Sequence, residues 1–365
     1  MSPEHPLSRL GPVLALHALS ACEPEVPPSP PCGVAHGQFV ATDDGAVIHL
    51  HRHQAAGPPV LVVHGISSNH YCWDLDPERS LGSYLAERGL DAWLLDLRGH
   101  GDARKAPGGW RLDRSWNADD YGLHDIPAAI AAIRAETGAR QVAYVGHSLG
   151  GMVGAIYASQ VGDQALSAMV VVGSPAEFHD PDPMMQLTRR SFGLSGSTLP
   201  LLATPPLARL ANAWNDALPL DVEALLFNDA NMEPEAARRM MHAVVSPLWP
   251  GEMLQFAGML DAGRFQSADG LRDYRADMGR LRVPLLVIAG RADRVAPPDR
   301  VRGTYEAAGS PEKRFVVAGL ENGFAADYGH LDLPLGDHAR AEIYPRIAEW
   351  VLAHPPALEA APGAR

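Results

Sequence analysis

The stretch of this chain best suited to chemistry is Gly146-His147-Ser148-Leu149-Gly150, which fits G-x-S-x-G. Val142 to Val145 before it is apolar, with β-branched and aromatic residues, and reads as a buried strand. Met152 onward is apolar and rich in small residues, and reads as a helix packed on a sheet. A strand that turns straight into a helix holds the residue at the turn in a strained backbone conformation. Glycines two before and two after remove the Cβ atoms that would collide there. Ser148 is left with its hydroxyl raised at the carboxyl end of the strand. The positive end of the following helix points at the same spot. Such a serine suits nucleophilic attack, with negative charge developing beside the helix N-terminus. The bland alternative is a glycine-rich turn with an ordinary serine, and the flanking strand and helix are what favour the nucleophile.

A serine hydroxyl is a poor nucleophile until a base takes its proton, so an imidazole and a group to orient it are needed. His330, in Tyr328-Gly329-His330-Leu331-Asp332-Leu333, lies beyond a strand expected over residues 314–317. Asp293 follows the apolar run Val283 to Ala289, in a loop that begins at Gly290. Three strand ends thus carry serine, aspartate and histidine in that order. His330 is expected as the base, and Asp293 as the group that holds its tautomer and stabilises its charged form. The backbone amides of Ile66 and Leu149 are expected to form a two-donor hole for the oxyanion. Competing groups have other expected roles. Asp332 shares the loop of His330 and reads as a local capping group. Asp96 ends a strand and is in a position to orient a histidine. His338 reads as surface, and His64 as structural. Tyr71, Cys72 and Trp73 read as loop packing, with pocket lining the alternative.

These residues need a sheet to hold them. Strands are expected at 37–42, 46–53, 59–63, 90–97, 142–145, 168–172, 283–289 and 314–317. Helices are expected at 78–88 and 119–137, after the serine, and at the end of the core through about residue 352. Strand and helix alternate as in a parallel sheet covered on both faces. The alternation stops between residues 175 and 282, where prolines, short amphipathic helices (208–217, 222–227 and 235–244) and methionines replace strands. Met184, Met185, Met232, Met240, Met241, Met253 and Met259 all fall here. An insertion at the carboxyl ends of strands is expected to cover the site as a helical cap. Most of these methionines are expected in its core, with a few facing an apolar, flexible substrate.

The chain has 365 residues and is 46% hydrophobic, which suits a large globular α/β core. Its net charge of −13 argues against nucleic acid as a partner. The three cysteines, Cys22, Cys32 and Cys72, form no C-x-x-C pair, and no metal or organic cofactor is implied by the motifs. His49, His51 and His53 alternate along one strand and share a face. Such a row can bind a metal, but is more often a solvated sheet face, and no nearby carboxylate is evident in the sequence. Residues 1–36 stand apart. An apolar run from Leu10 is followed by Leu19-Ser20-Ala21-Cys22 and a proline-rich stretch, in the order of a signal peptide. This quartet resembles a bacterial lipoprotein cleavage box, which implies a membrane tether through Cys22 in the cell envelope. The alternative is a disordered cytoplasmic tail. Residues 354–365 are expected as a disordered tail.

From about residue 37 to 353 the chain resembles the α/β-hydrolase superfamily, with 37–174 and 283–353 expected as its core and 175–282 as its helical cap. The carrying stretches are His64-Gly65-Ile66, Tyr121-Gly122-Leu123-His124-Asp125-Ile126-Pro127, Val145-Gly146-His147-Ser148-Leu149-Gly150 and His330-Leu331-Asp332-Leu333. Within the superfamily the chain looks most like acid lipases and the related polyhydroxyalkanoate synthases. The resemblance implies a mostly parallel sheet, and a Ser148–His330–Asp293 triad cleaving carboxylic esters of small molecules or lipids through an acyl-enzyme. It equally admits transfer of the acyl group to an alcohol or thiol. The synthases use cysteine where this chain has Ser148, and the lipases usually have glutamine where it has Leu149. A non-catalytic binding protein on this fold is the remaining alternative, and would need a broken triad.

Overall fold

The computed structural model describes residues 34–106, 115–179, 186, 189–191, 193–194 and 223–356. Eight strands form one sheet: β1 (Val34–Ala41), β2 (Val47–His53), β3 (Pro59–Val63), β4 (Asp91–Asp96), β5 (Val142–His147), β6 (Leu166–Val172), β7 (Leu285–Gly290) and β8 (Lys313–Ala318). The order is β1-β2-β4-β3-β5-β6-β7-β8. β1 and β2 are an antiparallel hairpin and β2 pairs antiparallel with β4, while every other pairing is parallel. All eight expected strands are present. β1 starts three residues earlier than expected. Its turn closes on Gly45 at φ +86°.

The central strands β3 to β7 are buried along their whole length. That is why they read as continuous apolar runs rather than alternating ones: a parallel sheet has helices on both faces. α1 (Leu81–Ala86) and α7 (Ala339–Ala353) pack on one face. α2 (Ile126–Thr137), α3 (Leu149–Gln160) and α6 (Pro298–Ala307) pack on the other. Ser80 caps α1, its hydroxyl accepting from the Ser83 amide at 2.9 Å. α2 ends at Gly138 with φ +72°.

The helix expected over 119–137 is interrupted. Ala118–Asp120 is α-helical, Tyr121–Asp125 makes a π turn, and α2 then starts with Pro127 in its first turn. The turn has a cause in packing. Gly122 lies against α3, where a Cβ would come 2.6 Å from the Ile156 side chain. Asp125 is fully buried and accepts from the Arg98 amide at 3.0 Å and from Arg98 Nε at 2.7 Å. Arg98 also holds Asp44 of the β1–β2 turn, donating from Nη2 at 3.0 Å. The Tyr-x-x-His-Asp-x-Pro stretch thus clamps three segments together.

Between β6 and β7 the described residues contain helices and isolated bridges but no strand of the sheet. Glu223–Leu226 and α4 (Pro234–Ala243) match two expected helices, and the third, at 208–217, lies outside the described residues. α5 (Pro250–Ala262) and α6 were not anticipated. Each has a proline in its first turn, and α5 also has Glu252 accepting from the Trp249 amide at 2.8 Å and Gly263 at φ +67° beyond its end. Met232, Met240, Met253 and Met259 are buried and Met241 is partly so, while Met184 and Met185 lie outside the described residues.

The histidine row on β2 departs from expectation. His49, His51 and His53 are 6%, 6% and 1% exposed, so this is not a solvated face. Carboxylates from elsewhere in the chain meet it: Asp96 of β4 faces His51, and Asp74 lies 2.8 Å from His53 Nε2. The sequence hid these partners because they lie on a neighbouring strand and a following loop.

Candidate active site

Ser148 joins β5 to α3 with φ +52° and ψ −121°. A non-glycine residue in this region is strained, and the surroundings must hold it there. Its amide donates to the Val172 carbonyl of β6 at 2.8 Å. Both flanking glycines are required by close approach. A Cβ on Gly146 would lie 2.5 Å from the Gly150 backbone, and one on Gly150 would lie 2.6 Å from the carbonyls of Val63 and His64. Ser148 is 8% exposed, at the carboxyl edge of the sheet.

His330 lies on the loop after β8 and Asp293 on the turn after β7, 5% and 3% exposed. His330 Nδ1–H donates to Asp293 Oδ2 at 2.7 Å. The other oxygen of Asp293 accepts from the amides of Val295 at 2.9 Å and Ala296 at 2.7 Å. The carboxylate is therefore fixed on both sides. The hydrogen bond at Nδ1 leaves Nε2 of His330 as the basic nitrogen. A Cβ placed on Gly173, at the end of β6, would lie 3.4 Å from both Asp293 Oδ2 and His330 Cε1. Gly173 has φ +58°, so the backbone selects glycine there.

His147, next to Ser148, is joined directly to His330. Its Nε2–H donates to the His330 carbonyl at 3.1 Å, and the two rings are 4.6 Å apart. Cys72 Sγ lies 3.6 Å from His147 Nδ1. Burial holds the His147 imidazole neutral, well below its ordinary range, and pushes the Cys72 thiol up to about 12. His147 thus fixes the backbone of the His330 loop. It sits in the variable position of G-x-S-x-G, so its residue type carried no signal of this contact.

The loop after β3 runs alongside the serine. A Cβ on Gly65 would be 3.1 Å from the Ser148 Cβ, so the chain entering Ile66 passes beside it. His64 anchors the loop from within. Its Nδ1–H donates to the Gly65 carbonyl at 2.8 Å, and its Nε2 accepts from the Leu97 amide at 3.3 Å. Burial brings its pKa down to about 3, so it is a neutral, structural imidazole, as expected. Ser67, at φ +52°, is the other strained non-glycine residue among those described. Its hydroxyl donates to the Ser246 carbonyl at 2.6 Å, and the Ser246 amide returns a bond to Ser67 at 2.8 Å. Asn69 Nδ2 donates to Ala243 at 2.9 Å. The insertion thus holds the loop that carries Ile66.

Ile66 and Leu149 line one small cavity of about 10 Å³ together with Met152, Phe256 and Met259, and with the polar Glu252 and Gln255. That is the scale of a single water. Sequence reasoning missed Glu252 and Gln255, because they sit on α5. Of the insertion's methionines, Met259 faces this cavity.

Cys72 and Trp73 are packed in the core, and Trp73 Nε1 donates to the Val63 carbonyl at 3.1 Å. His338 is exposed, as expected. Asp96 does orient histidines, His51 and His70, but not His330. Asp332 is more than a local cap. It is fully buried and accepts from Asn231 Nδ2 at 2.9 Å, joining the loop of His330 to the insertion.

The fold and site define a class, and the chain belongs to the α/β-hydrolase fold family, whose model matches residues 58–321. The human lysosomal acid lipase/cholesteryl ester hydrolase is 34% identical over 140 residues, 35% of each chain. The match to it, and to lipase 3 of Drosophila melanogaster, spans about a third of those proteins' length. The poly(3-hydroxyalkanoate) polymerase subunit of Haloferax mediterranei is 20% identical over 80% of this chain and 58% of its own. Among solved structures, an esterase from Thermogutta terrifontis has a TM-score of 0.60 at 20% identity, covering 88% of this chain and all of its own. This last likeness concerns the fold.

Proposed function

We propose that the chain is a serine hydrolase that cleaves carboxylic esters through an acyl-enzyme. The observation that carries this reading is the His330 Nδ1–Asp293 Oδ2 hydrogen bond of 2.7 Å, on loops at the same sheet edge as a strained, raised Ser148. His330 Nε2 takes the proton of Ser148 as its oxygen attacks the ester carbonyl, and Asp293 stabilises the imidazolium. The amides of Ile66 and Leu149 stabilise the tetrahedral oxyanion. His330 then protonates the departing alkoxide, and water repeats the sequence on the acyl-enzyme.

The lipase names among the relatives support an ester or lipid substrate. The methionine-rich insertion favours an acyl group of medium or long chain, which would have to widen the water-sized cavity beside Ile66 and Leu149 to bind there. The insertion between β6 and β7, residues 175–282, acts as a helical cap over the core segments 37–174 and 283–353. The test is a panel of p-nitrophenyl esters of rising chain length, with Ser148→Ala as control. The reading requires turnover that the variant loses. Turnover that survives in Ser148→Ala defeats it.

Acyl transfer to an alcohol or thiol is the second reading, favoured by the polymerase match over 80% of the chain. It uses the same acyl-enzyme and differs only in the acceptor. Product analysis with a competing alcohol separates the two. Residues 1–33 lie outside those described, so the tether through Cys22 is a proposal from sequence. It requires Cys22→Ala to release the protein from membranes on fractionation. Among the described residues no helix is long and apolar enough to cross a membrane.

A further inference from the structure

The β1–β2 hairpin carries a second constellation that the ester chemistry does not use. His49 and His51 project from the same face of β2, and His49 is the register partner of Asp96 on β4. All three are buried, Asp96 completely. His49 Nδ1 is 3.0 Å from His51 Nε2, and His51 Nε2 is 3.0 Å from Asp96 Oδ2. The three atoms lie within 4.8 Å of one another.

Hydrogen bonding within the protein serves this arrangement poorly. His51 Nε2 carries at most one hydrogen, and it faces His49 Nδ1 and Asp96 Oδ2 at the same short distance. Directed at Asp96, that hydrogen leaves His49 Nδ1 without a donor of its own. With His51 Nε2 bare, its lone pair faces the carboxylate. A cation here would take one lone pair each from His49 Nδ1, His51 Nε2 and Asp96 Oδ2, the last of which also accepts from the Asp102 amide at 2.8 Å and from His70 Nδ1 at 2.9 Å. Tetrahedral zinc with bonds of 2.0–2.1 Å spaces its ligands by roughly 3.3 Å, a few tenths more than the separations seen.

The surroundings suit a ligand set. Asp96 accepts from the amides of His70 and Asp102, both at 2.8 Å, and from His70 Nδ1 at 2.9 Å. Such outer partners fix a ligating carboxylate and keep it ionised. Gly37 and Gly101 give up their side-chain space to His49 and Asp96. A Cβ on Gly37 would be 2.6 Å from His49 Cε1, and one on Gly101 would lie within the contact radius of Asp96.

We propose that His49 Nδ1, His51 Nε2 and Asp96 Oδ2 form a binding site for a divalent transition metal of the zinc or cobalt type. Two imidazoles and one carboxylate favour such ions over magnesium or calcium. The site is structural: it fastens the β1–β2 hairpin to the end of β4. It also stiffens, through His70, the segment that follows the Ile66 loop. It takes no part in the ester chemistry.

The test uses the full chain stripped with a chelator and then titrated with Co²⁺, followed by competition with Zn²⁺. One equivalent should bind per chain, with the intense visible bands of four-coordinate cobalt, and zinc should displace it. His49→Gln and His51→Gln should each weaken binding by at least about tenfold. His124→Gln, in the exposed Asp43–Asp44–His124 group, should leave binding unchanged. Absence of the bands in the wild-type chain overturns the proposal. So does a thiolate charge-transfer band, which would assign the metal to cysteine, or binding that survives both β2 variants. If those variants fail to fold, the wild-type spectrum and stoichiometry still decide.

Discussion

Asp293 is held by two backbone amides and one imidazole, so its exchange for asparagine tests orientation rather than packing. Asp293→Asn should lower kcat by up to about 10⁴-fold while leaving KM and thermal stability near wild type, because the imidazole loses its fixed tautomer. A comparable loss in KM alone would contradict this role. Gly173→Ala is the complementary change. A Cβ at φ +58°, beside Asp293 and His330, should cost about 1–3 kcal/mol of stability through backbone strain at the strand end that faces the pair. Chemical denaturation and ester turnover should fall together. At this scale the positions of Ser148, Asp293 and His330 beyond three strand ends were legible in the sequence. It did not carry His147, whose part depends on a carbonyl 183 residues away in the chain. Nor did it carry the burial of His49 and His51, whose partner Asp96 is distant in number and adjacent in space.

The strands were legible as elements because burial on both faces leaves continuous apolar runs, as in Val60–Val63 and Val170–Val172. The π turn at Tyr121–Asp125 was not, since its sequence is helical and only the contact of Gly122 with α3 and the pull of Arg98 on Asp125 reshape it. α5 escaped notice although Pro250, Glu252 and Gly263 mark both ends, because it lies where periodicity is weak. The Arg98–Asp125 pair tests this level. Burial pushes the Asp125 carboxyl up to about 6 even with Arg98 beside it. Arg98→Met would leave that carboxylate without its cation, at a cost of roughly 3–5 kcal/mol. Urea denaturation should show this loss, and Arg98→Met with Asp125→Leu should recover part of it. No loss in the single variant would mean that the clamp is idle.

For the molecule as a whole, buried neutral imidazoles set the response to acid. His49, His64 and His147 all have folded pKa values depressed below the ordinary 6.5, and the unfolded chain binds their protons first. Stability from these groups is present above about pH 6.5 and is lost as pH falls towards the folded values. His64 alone, at about 3, should remove roughly 3 kcal/mol between about pH 7 and pH 4.5. Asp332 works in the opposite sense, because burial raises it to about 6 and so favours the fold as pH falls from there towards 3.8. Asp120, Asp125, His70 and His100, all raised in the folded chain, act in the same sense as Asp332 and offset part of the loss, which the three depressed histidines still dominate. Urea midpoints should therefore drop between neutral pH and pH 4.5, and an unchanged or rising midpoint would contradict the assignment of these histidines as buried and neutral.

The central claim is that one serine is made nucleophilic by one imidazole, and covalent labelling reads it most directly. A fluorophosphonate probe should modify the wild-type chain at Ser148, as located by peptide mass spectrometry. Labelling should vanish in Ser148→Ala and slow by at least about 10³-fold in His330→Ala, in proportion to the loss of the base. Attachment at another residue, or labelling of Ser148 at the wild-type rate without His330, would contradict the account.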